Sequence, residues 1–223
     1  MSEERRPLAL PRDTPSDFPA AVSVFFSHWS PRVLLGGMLL TCAARAAGGA
    51  LGPADLLLPL AVLLGWPLLE WLIHVHILHF RPRTVLGLRI DPMNARRHRA
   101  HHLDPWRFER AFVPVPSLLL IQSALLCSAA ISPWPALWTV AVVITGLALR
   151  YEWVHYLCHI RYCPSSHRYR TLVQNHRRHH FKNEKYWLGV SMLSGDRLLG
   201  TDGDPAEVAH SATVRTIHGP QLA

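Results

Sequence analysis

The sequence predicts an all-α integral membrane protein, with four transmembrane helices and a histidine-rich cytoplasmic helical cap. Three observations carry that expectation. Residues 33–51, 56–79, 113–131 and 136–159 are apolar stretches, each about the twenty residues a helix needs to cross a hydrocarbon core. The formal net charge of +8 is concentrated in two of the connecting segments. Ten of the fifteen histidines fall in four compact clusters at or just beyond the ends of two apolar stretches.

Residues 1–21 mix charges with prolines and read as a flexible lead. No apolar core follows the first basic residues, so no secretory signal is expected. Phe25, Phe26 and Trp29 suit a membrane interface ahead of the first span. That span, 33–51, is rich in Gly and Ala, and its Arg45 lies near enough to the end to snorkel. The second, 56–79, carries Pro59 and Pro67, which membrane helices tolerate.

Residues 81–112 hold eight arginines against Asp91, Asp104 and Glu109, and residues 161–187 hold seven Lys or Arg against Glu184. The connections 52–54 and 132–135 carry no charge. The positive-inside rule therefore puts both basic segments and both termini on the cytoplasmic side. Such a distribution suits lipid headgroups and topology rather than nucleic acid. Cys42, Cys127, Cys158 and Cys163 form no CxxC and suggest no disulfide framework. Residues 22–202 read as one membrane domain, and 203–223 as a polar, poorly ordered tail.

Two boxes of the form HxxHH stand at His98, His101, His102 and at His176, His179, His180. Offsets of three and four residues stack such side chains on one helix face, where a triplet can share one metal centre. Two pairs accompany them. His155 and His159 are one turn apart at the end of the fourth span. His74 and His79 are five apart, an offset of about 140° on an ideal helix that a fraying end or a π-bulge would repair. His76 is the rival partner of His79.

Ten imidazoles at a membrane boundary are hard to satisfy by ordinary hydrogen bonds, whereas metal coordination uses one nitrogen of each and leaves the other for an outer partner. About four ligands suffice for one zinc, so ten imply two ions, a dinuclear site with room for an open position on each. Imidazole suits Zn, Fe, Cu or Ni. Glu70 and Glu152 are expected as outer acceptors that orient an imidazole. Asp104 and Asp196 are expected as caps or loop charges, and His28, His210 and His218 as structural or solvated. His167 is a candidate for an outer role; Trp71, Trp153 and Tyr156 suit an aromatic belt or, as the rarer case, the lining of the substrate path.

These motifs resemble the membrane fatty acid hydroxylase and sterol desaturase superfamily, most closely its fatty acid 2-hydroxylase branch. The resemblance runs from about Leu56 to Thr201. It rests on HVHILH at His74–His79, HRAHHLDP at His98–Pro105, AFVPVP at Ala111–Pro116, EWVHYLCH at Glu152–His159 and NHRRHHF at Asn175–Phe181. The closing segments Tyr186–Ser191 and Asp196–Thr201 are similar as well.

The resemblance implies metal ligands at His74, His79, His98, His101, His102, His155, His159, His176, His179 and His180, and this favours His79 pairing with His74 over His76. It implies two iron ions, replaceable by zinc in purified protein, that use O2 to hydroxylate an acyl chain, at C2. No catalytic side chain is expected beyond the ligands. Nothing before Val22 matches the fused cytochrome b5 domain of eukaryotic relatives, so a separate ferredoxin or cytochrome b5 type donor is expected. Three rivals remain at this level: a sterol or lipid desaturase or methyl oxidase with the same metals, a bis-histidine haem electron carrier, and a metal transporter. Haem leaves the HxxHH boxes without a role, and a transporter wants ligands near the midplane.

Overall fold

The computed structural model describes residues 13–218, so the outer ends of the N-terminal lead and of the polar tail lie outside the described residues. Helix α1 (Phe18–Ser27) is capped by Asp17, whose side chain accepts from Ala20 N at 2.9 Å. A single residue, His28, separates it from α2 (Trp29–Ala47). Helix α3 (Ala54–Ile73) starts after Pro53 and runs straight into a π-helical turn, His74–Leu78.

A short antiparallel hairpin, β1 (Arg83–Val85) and β2 (Leu88–Ile90), then precedes α4 (Met93–Leu103). A 3₁₀ turn at Phe108–Arg110 leads to α5 (Val115–Ile131), followed by α6 (Ala136–Cys158), α7 (His167–Phe181) and α8 (Ser194–Leu199). Prolines punctuate the long helices: Pro114 and Pro116 start α5, and Pro135 starts α6, where a missing N–H costs nothing.

Three segments among the described residues are long and apolar enough to cross a membrane: Ala54–Leu78, Phe108–Ile131 and Ala136–Cys158. These are three of the four spans expected from sequence. The stretch counted as the first span is the helix α2, but its Ser, Gly, Thr and Arg residues keep it below the apolar content of the other three. Large side chains on α3 and α5 point outward, with Leu56 70%, Leu64 74% and Leu120 73% exposed, as a lipid-facing surface requires.

Helix α6 is the hub, packing against α2, α3, α5 and α7. Phe25, Phe112 and Tyr156 form an aromatic core at its upper end, with ring centroids 5.6–5.9 Å apart. Phe25 is therefore inside the protein rather than at an interface. Arg45 does not snorkel either. It is buried and paired with Asp55 at 2.6 and 2.7 Å, and it also donates to the carbonyls of Gly49 and Ala50. A desolvated guanidinium in this position needs those partners.

The hairpin also departs from the all-α expectation. Leu86 and Gly87, at φ 51° and 80°, reverse the chain there, in the left-handed pair a tight hairpin turn requires.

Candidate metal centre

Four elements converge at one end of α3 and α6. The π turn solves the five-residue offset: His79 N donates to His74 O at 2.9 Å, so residues five apart close one ring and His74 and His79 come onto one face. His76 points away and is exposed. Helix α4 brings His98, His101 and His102, the end of α6 brings His155 and His159, and α7 brings His176, His179 and His180. Apart from the half-buried His79, all of these are buried.

The ten divide into two groups of five, each with its candidate ligand nitrogens within 4.8 Å of one another. Site A contains His74, His79, His98, His102 and His179; site B contains His101, His155, His159, His176 and His180. Neither HxxHH box falls within one group, contrary to the expectation that a triplet shares one centre. The outer two histidines of each box go to one site and the middle one crosses to the other. The cause is helical pitch: at about 100° per residue, positions i and i+4 lie only about 40° apart, whereas i+3 and i+4 diverge by about 100°. Each half thus gives four candidate ligands to one group and lends one to the other.

The nitrogen geometry suits metal ions. His74 and His98 approach at 3.2 Å, His102 and His179 at 3.2 Å, His101 and His159 at 3.1 Å, and His176 and His180 at 2.9 Å, Nε2 to Nε2 in each case. With bonds of about 2.1 Å to a shared ion, these separations subtend roughly 87–99°. Such angles belong to a five- or six-coordinate site rather than a tetrahedron.

The tautomers decide the point. His102 Nδ1 lies 3.1 Å from Val214 O, and His179 Nδ1 lies 2.9 Å from Tyr186 O. A carbonyl only accepts, so both protons sit on Nδ1 and both Nε2 atoms present lone pairs, facing each other. Protonation offers no escape. Burial pushes His102 down to about 3 and holds His179 well below the usual histidine range. Burial, reinforced by neighbouring imidazoles, does the same to His98, His101, His176 and His180. Two lone pairs facing across 3.2 Å in a buried site call for a cation between them.

The outer shell is built mostly from backbone carbonyls. His74 Nδ1 donates to Leu188 O at 2.6 Å. The 188–191 loop is itself pinned from two sides. Asp196 accepts from Leu188 N and Gly189 N, both at 2.8 Å, and from Thr201 Oγ1 at 2.6 Å. A Cβ on Gly189 would lie 2.2 Å from Met192 O, so this close approach requires glycine.

Glu70 accepts from Val190 N at 2.5 Å, Ser191 N at 2.7 Å, Ser191 Oγ and Trp66 Nε1 at 3.2 Å. Glu152 accepts from Val113 N at 2.7 Å. Neither glutamate is recorded bonding an imidazole, which corrects the role expected for them. Arg177 donates to the carbonyls of Cys158 and Ile160, both at 2.8 Å, and so ties α7 to the end of α6 that bears His155 and His159.

A cavity of about 300 Å³ opens beneath the histidines between α2, α3, α5 and α6. One histidine from each group, His98 and His155, lines it. Arg97, Arg110 and Asn94 line the same wall, and Leu118, Leu125, Ile144 and Ala148 continue it along the helices. From His155 to Ile144, α6 spans roughly 16 Å. The aromatic side chains on its wall are Trp66, Phe112 and Tyr151, not Trp71, Trp153 or Tyr156. Tyr156 is sealed in the core, and Trp71 Nε1 donates to Thr201 Oγ1 at 2.9 Å.

The model of the fatty acid hydroxylase family matches residues 59–201, which include all ten clustered histidines. This chain belongs to the fatty acid hydroxylase family. It is similar to the fatty acid 2-hydroxylase of Homo sapiens, with 31% identity over 138 residues, covering 61% of this chain and 37% of that protein. The fatty acid 2-hydroxylase of Macaca fascicularis is 32% identical over 141 residues, with the same coverages. The match therefore spans little more than a third of those relatives' length. No solved structure matches the chain.

The family match ends at Thr201, yet the site does not. The described part of the tail is packed rather than loose: its Val214 carbonyl accepts a hydrogen bond from His102 Nδ1, and His218 Nε2 donates to His79 O at 2.7 Å. Its partners lie more than a hundred residues away in the chain, at His79, His102 and Leu103, so no local pattern marks the segment. His28 stacks on Phe112 at 4.3 Å and bonds Val24 O, a structural role, whereas His167 and His210 are exposed and stand outside both groups.

Proposed function

We propose that this protein is an O2-dependent lipid monooxygenase that hydroxylates an acyl chain at C2. The facing lone pairs of His102 and His179 are the observation that carries the metal part of the reading. Each site would be held by its five histidines. The ions, iron in the working protein, would supply activation of O2 for attack on an unactivated C–H bond. One oxygen atom enters the product and the other leaves as water; the two electrons come one at a time from a separate donor of ferredoxin or cytochrome b5 type, and the two protons come from solvent.

The chain's own contribution is placement. The apolar cavity takes the acyl chain and excludes water from it. Arg97 and Arg110, beside His98, suit a carboxylate or other acidic headgroup. An anion held there leaves the first carbons of the chain nearest the histidines, which supports attack at C2, as does the 2-hydroxylase name of the relatives. In this reading α2 crosses the bilayer beside the three apolar spans. The arginine-rich segments 81–112 and 161–187 support a cytoplasmic side for the centre and both termini.

The test is lipid mass spectrometry on host membranes with and without the protein, under 18O2. A 2-hydroxy acyl lipid carrying one labelled oxygen is the expected product. A new double bond without label would replace this reading with desaturation.

A further inference from the structure

We infer that residues 211–218 are a positioning element for site A alone, so that the two metal sites are held unequally. This rests on the metal reading above. The segment touches site A at two ligands and reaches no ligand of site B through a recorded hydrogen bond. Val214 O fixes the Nδ1 proton of His102, which aims that ring's Nε2 at the site. Arg215 donates from Nε to His102 O at 2.9 Å and from Nη2 to Leu103 O, satisfying carbonyls at the end of α4 that would otherwise be orphaned. His218 grips the carbonyl of His79 at 2.7 Å, just where the π turn ends.

The segment is itself anchored to the residues after α7. Ser211 N donates to Lys182 O at 2.8 Å and Thr213 Oγ1 to the buried Glu184 at 2.6 Å. It thereby meets the π turn, α4 and the stretch after α7; the two helices also carry His101, His176 and His180 of site B, but the segment's own bonds to ligand residues fall on His79 and His102 of site A. The ligands of site B have other support: His155 and His159 ride on α6, and Arg177 ties that helix end to α7.

The experiment counts metal in three purified proteins: the full chain, a chain ending at His210, and Arg215→Gln. Each is expressed with zinc, washed with EDTA and analysed for zinc per chain. The full chain is expected to hold two ions, one for each group of five, and the shortened chain one. Arg215→Gln is expected to release one ion to EDTA about tenfold faster than the full chain, the usual scale for an outer-shell partner. Adding His74→Ala and His98→Ala to the shortened chain should leave its single ion, whereas adding His176→Ala and His180→Ala should remove it. Two ions retained in the shortened chain would overturn the inference, and so would loss of both. A full chain that itself fails to bind two ions would instead overturn the metal reading.

Discussion

Replacing Glu70 tests the scaffold behind the metal centre without touching a ligand. Four donors converge on this one buried carboxylate: two backbone amides, a hydroxyl and the Trp66 indole. Glu70→Ala lets the Ser191 hydroxyl turn elsewhere, but Val190 N and Ser191 N sit in fully buried residues with no other recorded acceptor. Each stranded buried amide costs roughly 1–3 kcal/mol, so the pair costs about 2–6 kcal/mol. For a chain of this size that corresponds to a Tm lower by roughly 4–24 °C. Glu70→Gln keeps an oxygen for both amides and should cost about 1 kcal/mol. Tryptophan-monitored thermal unfolding in detergent measures both, and metal analysis adds a second readout, because the 188–191 loop also carries the acceptor for His74. Equal losses for Ala and Gln, or none for either, would refute the pinning argument.

His101→Ala and His179→Ala should each abolish lipid hydroxylation while membrane fractionation shows normal insertion, whereas the exposed His76→Ala should stay within about twofold of the parent. Ala148→Phe fills the apolar wall of the cavity, so competing acyl chains should show about a ten- to hundredfold shift toward shorter chains with both ions retained. Acid should destabilise the metal-stripped protein. The unfolded chain takes up a proton at His102 near its ordinary 6.5, the folded one only near about 3, so the unfolded state binds more protons between those values. Stability is therefore full above about pH 6.5 and falls as the pH drops toward about 3; a flat profile from pH 7.5 to about 4 would contradict this.

The gathering of the ten histidines was legible because they stand at offsets that share a helix face. Even the awkward five-residue gap between His74 and His79 announced its π turn. The crossing of His101 and His179 was missed, since stacking on one face looks sufficient until the 100° divergence of adjacent residues is followed to two separate centres. Glu70 was noticed for the right position and given the wrong partner: a carboxylate one turn before a histidine invites a direct bond, whereas here it acts through the loop that returns from 188–191.

That long-range return, like the packing of Val214 on His102, is a backbone event that no side-chain pattern encodes. The hairpin at 83–90 was hidden for a different reason. Its strands are three residues each, and its Leu86-Gly87 turn lacks the asparagine that usually marks such turns. Helix α2 was found as a helix, but its Gly and Ala content suits packing against α6 better than it signals a span.

X-ray absorption on the iron-loaded protein tests the central claim most directly. Two ions per chain, each with a shell of about five imidazole nitrogens and no sulfur, is the predicted result. One ion per chain, or a shell dominated by carboxylate oxygen, would contradict the two-centre account.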